Sequence, residues 1–207
     1  MVMKIVELRL ETHLLTELQE FYGNVLGLEV VQKSRRGFTV KVGQSRLHFT
    51  SAEDDETPFY HFSFFFPIGK LKAFEKWLSG RVNLIEKNGS PIFDLPGGQG
   101  KALYLEDPAG NLVGFMARDG VPDISPNGSF APKDLNGIVQ IGIAVDNVRL
   151  FAEHLMGEFN TNLWKGDMKK MAVLGSEDGM FTVVPVGHPW FPTGKRADYY
   201  PTVVDVE

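Results

Sequence analysis

The chain has no cysteine among its 207 residues. That absence removes disulfides, thiolate nucleophiles and Cys-type zinc sites together, and any metal must be held by His, Glu, Asp or Gln. No basic run is longer than Ser34-Arg35-Arg36, and the formal net charge is −5. A phosphate-tracking stripe is therefore missing, and nucleic acid is not an expected partner. Nowhere is there a run of about 18 apolar residues that could cross a bilayer. Charges at Lys4, Glu7, Arg9 and Glu11 interrupt the N-terminal segment where an apolar signal core would lie. These absences lead us to expect a cytoplasmic protein with no membrane partner. What the sequence does have is a 43% hydrophobic content, enough for a sizeable core in one domain or two small ones.

One pattern recurs three times, and a repeat at this spacing sets the architecture before any single motif does. Residues 5–11, IVELRLE, alternate as a half-buried strand, and Leu15, Leu18, Phe21, Val25 and Leu26 then recur at helical spacing. Gly27 follows where a helix end favours positive φ, and three short strands come after it, LEVVQK, FTVKVG and SRLHFT. The second copy runs from FYHFSFFF (59–66) through a Leu71, Phe74, Trp77, Leu78 stripe to VNLIEK, ALYLED and LVGFMAR. The third begins at GIVQIGIAV (137–145), continues with Val148, Phe151, Leu155 and Phe159, and ends with MFTVVPVG at residue 187. The spacing predicts an α+β fold of paired βαβββ modules forming a curved, open-barrel trough, with a third βαβββ module. Boundaries follow at 1–118 for a two-module domain, 119–136 for a Pro- and Gly-containing linker, and 137–207 for the third module with its tail.

Strand alternation places residues i, i+2 and i+4 on one side. Val6, Leu8 and Leu10, Leu47 and Phe49, and Phe62, Phe64 and Phe66 form the helix-facing sets, which sends Glu7, Arg9, Glu11, Arg46, His48, Thr50, His61, Ser63 and Phe65 to the concave face. Glu7, His48 and His61 thus become candidate metal ligands. A histidine amid six aromatic rings, as His61 is, can equally be a core residue satisfied by one hydrogen bond.

The helix ending FYGNVLGLEV (21–30) and the strand-turn-strand YLEDPAGNLVGF (104–115) resemble the vicinal oxygen chelate superfamily of glyoxalases, bleomycin-resistance proteins and extradiol dioxygenases. The resemblance implies a divalent metal held by the first and last strands of two paired modules. Carried over by position, those places are Glu7, His48, His61 and Gly114. Gly114 departs from the pattern, since the family places a glutamate there. Glu7, His48 and His61 remain as a set suited to Fe, Mn or Zn with an open position for water or substrate. In the third module Gln140 and Thr182 stand at the corresponding places, and this module reads as structural.

The function implied is a metal-dependent enzyme of glyoxalase or extradiol dioxygenase type acting on a small oxygen-rich substrate. The alternative is a metal-free small-molecule binding protein of bleomycin-resistance type. Arg9 and Arg46 are candidates to bind an anionic substrate, or else to neutralise Glu7 and Glu11. Tyr104 could donate a proton near a metal or simply pack. The aromatic tail GHPWFPTGKRADYYP could fold over a trough mouth, with His188 outside the site. An unpaired edge on the third module predicts a homodimer held by residues 137–187.

Overall fold

The computed structural model describes residues 3–53, 57–95, 100–121 and 128–207. The first module comprises β1 (Ile5–Thr12), α1 (Leu15–Glu20, continued by a wider turn over Phe21–Val25), β2 (Glu29–Lys33), β3 (Gly37–Val42) and β4 (Ser45–Ser51). The second comprises β5 (His61–Pro67), α2 (Leu71–Ser79), β6 (Phe93–Asp94), β7 (Lys101–Glu106) and β8 (Leu112–Arg118). The third comprises β9 (Gly137–Val145), α3 (Val148–Glu158), β10 (Leu163–Gly166), β11 (Ala172–Ser176) and β12 (Gly179–Pro185). In each module the last strand lies parallel to the first. Gly27 takes φ +62°, the left-handed value that ends the first helical segment as the sequence leads one to expect.

The modules join differently from the expected order. β5 runs antiparallel to β9, with Phe62 opposite Ile141 and Ser63 opposite Gln140. The first module meets this seam through one register pair between β1 and β9, Ile5 with Ile138, and through Ser45, whose Oγ accepts from the Ile138 N–H at 2.9 Å. The edge of β1 is instead taken by β15 (Thr202–Val206), which pairs with it antiparallel from Ile5–Val206 to Leu10–Thr202. An edge accepts one partner, and the tail strand fills the one that a neighbouring module would have used. The curved trough therefore forms between the second and third modules, not within residues 1–118. β9 is bonded to β12 on one side and β5 on the other. The open edge behind the homodimer expectation is thus closed inside the chain.

The helix-facing sides of all three modules share one apolar core in which Phe62, Phe64, Phe66, Phe74 and Phe115 have no exposed surface. Phe66 and Phe74 rings lie 4.6 Å apart, and Phe130 from the expected linker packs 4.4 Å from Phe74. The linker is therefore anchored in the core at Phe130, while its residues 122–127 lie outside the described residues. Truncating one such phenylalanine would cost about 3–5 kcal/mol. The strand expected at 82–87 does not form: Lys87-Asn88-Gly89-Ser90 closes a turn with positive φ at Asn88 and Gly89. On the side of β7 away from β8, the short β6 pairs with it and the Ile85 N–H donates to the Tyr104 carbonyl at 2.8 Å. Among the described residues no helix is long and apolar enough to cross a membrane.

Candidate ligand cavity between the second and third modules

The β5–β9 seam is the floor of a cavity of about 590 Å³. Val139, Val173 and Met180 of the third module cluster with Phe65 and Met116 of the second on this side of the sheet. Trp190 of β13 (Pro189–Trp190), which hairpins with β14 (Lys195–Arg196), closes the cavity with Phe191. The tail does lie over the trough, and His188 lines the same cavity.

The floor is polar, neutral and internally bonded. Ser63 Oγ donates to Gln140 Oε1 at 3.4 Å, and Gln140 Nε2 donates to Thr182 Oγ1 at 3.0 Å. Gly114 lies opposite Ser63, and a Cβ there would sit 2.4 Å from Ser63 Oγ and 3.2 Å from Tyr104 Cε1. A side chain at this position would therefore displace the Ser63 hydroxyl from its bond to Gln140.

His61 lies on the same face of β5, two residues before Ser63. Its Nδ1–H donates to the Leu112 carbonyl at 2.9 Å, which leaves the lone pair on Nε2. Burial lowers its pKa to about 4, only partly opposed by that hydrogen bond, so the ring is neutral at physiological pH. It packs 5.0 Å from the Trp190 ring and 6.4 Å from Tyr104. Burial pushes the Tyr104 phenol up to about 12, keeping it protonated.

The other expected site residues lie elsewhere. Glu7 pairs with Arg46 and Arg9 with His48 along the β1–β4 ladder, which gathers all four on the open face of the first module. Arg9 Nε binds Glu7 Oε1 at 3.0 Å and its Nη2 binds Asp205 of β15. That is the neutralising role weighed for Arg9. His48 Nδ1 meets Thr39 Oγ1 at 2.7 Å, and partial burial lowers its pKa against the opposing pull of Glu7. Glu7 and His48 therefore share a surface while His61 belongs to the cavity. Among the described residues no group of three or more His, Asp or Glu could hold a metal ion. The alternation assigned each strand's faces; the module pairing is what differed.

Arg118 was not singled out from the sequence. In LVGFMAR the alternation that buries Val113, Phe115 and Ala117 against the helix sends Gly114, Met116 and Arg118 to the cavity side, and an arginine ending an apolar strand was a readable signal.

No family model and no curated protein matches the sequence. Solved structures do. A candidate dioxygenase from Bacillus subtilis superposes with a TM-score of 0.63 at 16% identity, covering 88% of this chain and 64% of its own. A glyoxalase I variant from Zea mays gives 0.60 at 14% identity, covering 99% of this chain and 74% of its own. The chain has the vicinal oxygen chelate fold. At these identities the likeness is one of fold, and chemistry has to be argued from the cavity.

Proposed function

We propose that the chain binds a small organic molecule in the cavity between its second and third modules, with no resident metal at the positions where glyoxalase-like proteins hold one. The observation that carries this reading is the floor itself. At the places the resemblance assigns to ligands in these two modules, beside His61, stand Gly114, Gln140 and Thr182; Gln140 and Thr182 bond each other, and Ser63 bonds Gln140. None is a carboxylate, and a side chain at Gly114 would displace the Ser63 hydroxyl. These residues do not fit a divalent cation, whose usual ligands here would be imidazole and carboxylate. The metal enzyme expected from Glu7, His48 and His61 is not carried further, since those groups lie on two surfaces. A cavity of about 590 Å³, largely apolar with a few convergent polar groups, has the size and lining of a small-molecule site.

Catalysis is the second reading, favoured by one observation, the unprotonated Nε2 of His61. With a pKa near 4 that nitrogen is a weak base at pH 7. It suits accepting a hydrogen bond from a ligand better than removing a proton from carbon. Elemental analysis of protein purified without chelator tests the proposal. Sub-stoichiometric metal is expected; stoichiometric Fe, Mn or Zn that is lost on both His48→Ala and His61→Ala would restore the metal-enzyme reading.

A further inference from the structure

Among the described residues Arg118 is a buried cation with two guanidinium nitrogens left without a hydrogen-bond partner. It ends β8, is 8% exposed, and lines both the large cavity and a second one of about 340 Å³ beside it. Its Nε and Nη2 are buried with no hydrogen-bond partner, and among the described residues no carboxylate comes within ion-pair distance. Its guanidinium lies over the Phe65 ring, with Cζ 5.4 Å from the centroid. Glu177 and Asp178 are near enough to act on it through space without bonding to it. Burial of a cation is costly unless an anion compensates it, and one that the chain itself does not bond is placed to meet an anion from outside.

We propose, resting on the reading of the cavity as a small-molecule site, that its ligand is a monocarboxylate with an apolar body, its carboxylate held by Arg118. The guanidinium fork matches a planar carboxylate bidentately. Glu177 and Asp178 lie close by, and their negative field favours a single charge over the dianion of a phosphate ester. The apolar body fits Met116, Met171, Val173 and Met180, whose flexible thioethers adapt to varied shapes. Trp190 and Phe191 cover the far end. An oxyanion entering this site exchanges hydration for a charge-assisted hydrogen bond in a water-poor setting.

The test is calorimetric titration of the full chain with decanoate and 4-phenylbutyrate, each against its uncharged amide, and with decyl phosphate. Wild type should prefer carboxylate over amide by about tenfold to a hundredfold, the contribution of a charge-assisted bond. It should also bind decyl phosphate more weakly than decanoate. Arg118→Met should abolish the preference by weakening the carboxylate far more than the amide, and Arg118→Lys should retain part of it. Tighter binding of decyl phosphate would overturn the monocarboxylate assignment. Equal binding of carboxylate and amide by wild type, or a preference that survives in Arg118→Met, would overturn the anchor and leave the cavity reading intact. If neither acid nor amide binds, both readings fall together. A purely structural arginine would show instead as lowered melting temperatures in both Arg118→Met and Glu177→Gln with acid and amide bound alike, which also overturns the anchor.

Discussion

The open face of the first module and the cavity between the second and third are built from the same βαβββ plan, yet they are chemically opposite. On the first module, Glu7, Arg9, Arg46 and His48 stand on a surface whose Arg9 is 43% exposed in its side chain and bonded to Asp205. In the cavity, His61, Ser63, Gln140 and Thr182 are all buried, and the surrounding wall is largely methionine, valine and aromatic rings, with Arg118 and Glu177 among the charged groups that line it. What differs is the partner of each module's first strand. β1 receives β15, a lone strand that brings no second wall; β5 receives β9, which brings a whole module. A concave face becomes a site only when something closes it, and that is decided at the strand edge.

The sharpest way to break this contrast is to place a glutamate on each surface. Gly114→Glu should cost about 1–3 kcal/mol, because its Cβ meets Ser63 Oγ at 2.4 Å and forces that side chain to move. His48→Glu, on the open face, should change stability by no more than about 0.5 kcal/mol. Urea denaturation of the two proteins measures both. A Gly114→Glu protein that is stable and binds one metal per chain would mean that this strand faces a metal centre after all.

Acid separates the surfaces next. His61 is depressed from 6.5 to about 4 in the fold, so its neutral form contributes stability that is whole above pH 6.5 and lost as pH falls toward 4. The loss amounts to at most about 3 kcal/mol at 1.36 kcal/mol per unit. Asp107, raised by burial from 3.8 to about 6, acts the other way: its contribution is whole below 3.8 and declines as pH rises through 6. Urea melts at pH 7, 5 and 4 should show His61→Gln losing less than wild type over that range, and His48→Gln losing as much as wild type or nearly so. Equal pH profiles for wild type and His61→Gln would remove His61 from the buried set.

Smaller effects follow on the two polar networks. Thr182→Val leaves Gln140 Nε2 without its acceptor and should cost about 1–3 kcal/mol. Arg9→Ala removes exposed ion pairs to Glu7 and Asp205 and should cost no more than about 1 kcal/mol, shrinking further in high salt. A reversal of that order would mean that the open face, not the cavity, is the tightly held one.

The sequence made the strands and their faces legible because alternation is a local property. Phe62, Phe64 and Phe66 fall on the helix side and His61 and Ser63 on the other, as period two requires. Module pairing is not local. Nothing in β1 distinguishes an edge that will meet a module from one that will meet Thr202–Val206, and the TVVDV strand was hidden in a tail whose prolines and aromatics suggested a cover. From that single gap came the misplaced partnership of Glu7 and His48 with His61. The strand expected at 82–87 is reduced to one backbone bond, from the Ile85 N–H to the Tyr104 carbonyl of β7, before the chain turns at Asn88 and Gly89. Gly114 was legible as a missing ligand, but its cause, contact with Ser63 Oγ, belongs to tertiary packing.

Since the chain has no cysteine, engineered pairs report the strand pairing without interference. Ser63 and Gln140 are register partners across the β5–β9 seam, and directly opposed residues of antiparallel strands lie about 4.5–5.5 Å apart at Cα, a span that a disulfide bridges. Mild oxidation of the Ser63→Cys, Gln140→Cys double variant, followed by non-reducing electrophoresis of the denatured chain, is the direct measurement. An intrachain crosslink in that protein, with none in a Glu7→Cys, His61→Cys control, is the predicted result. A crosslink in the control and none across Ser63 and Gln140 would contradict it, placing the trough between the first two modules instead.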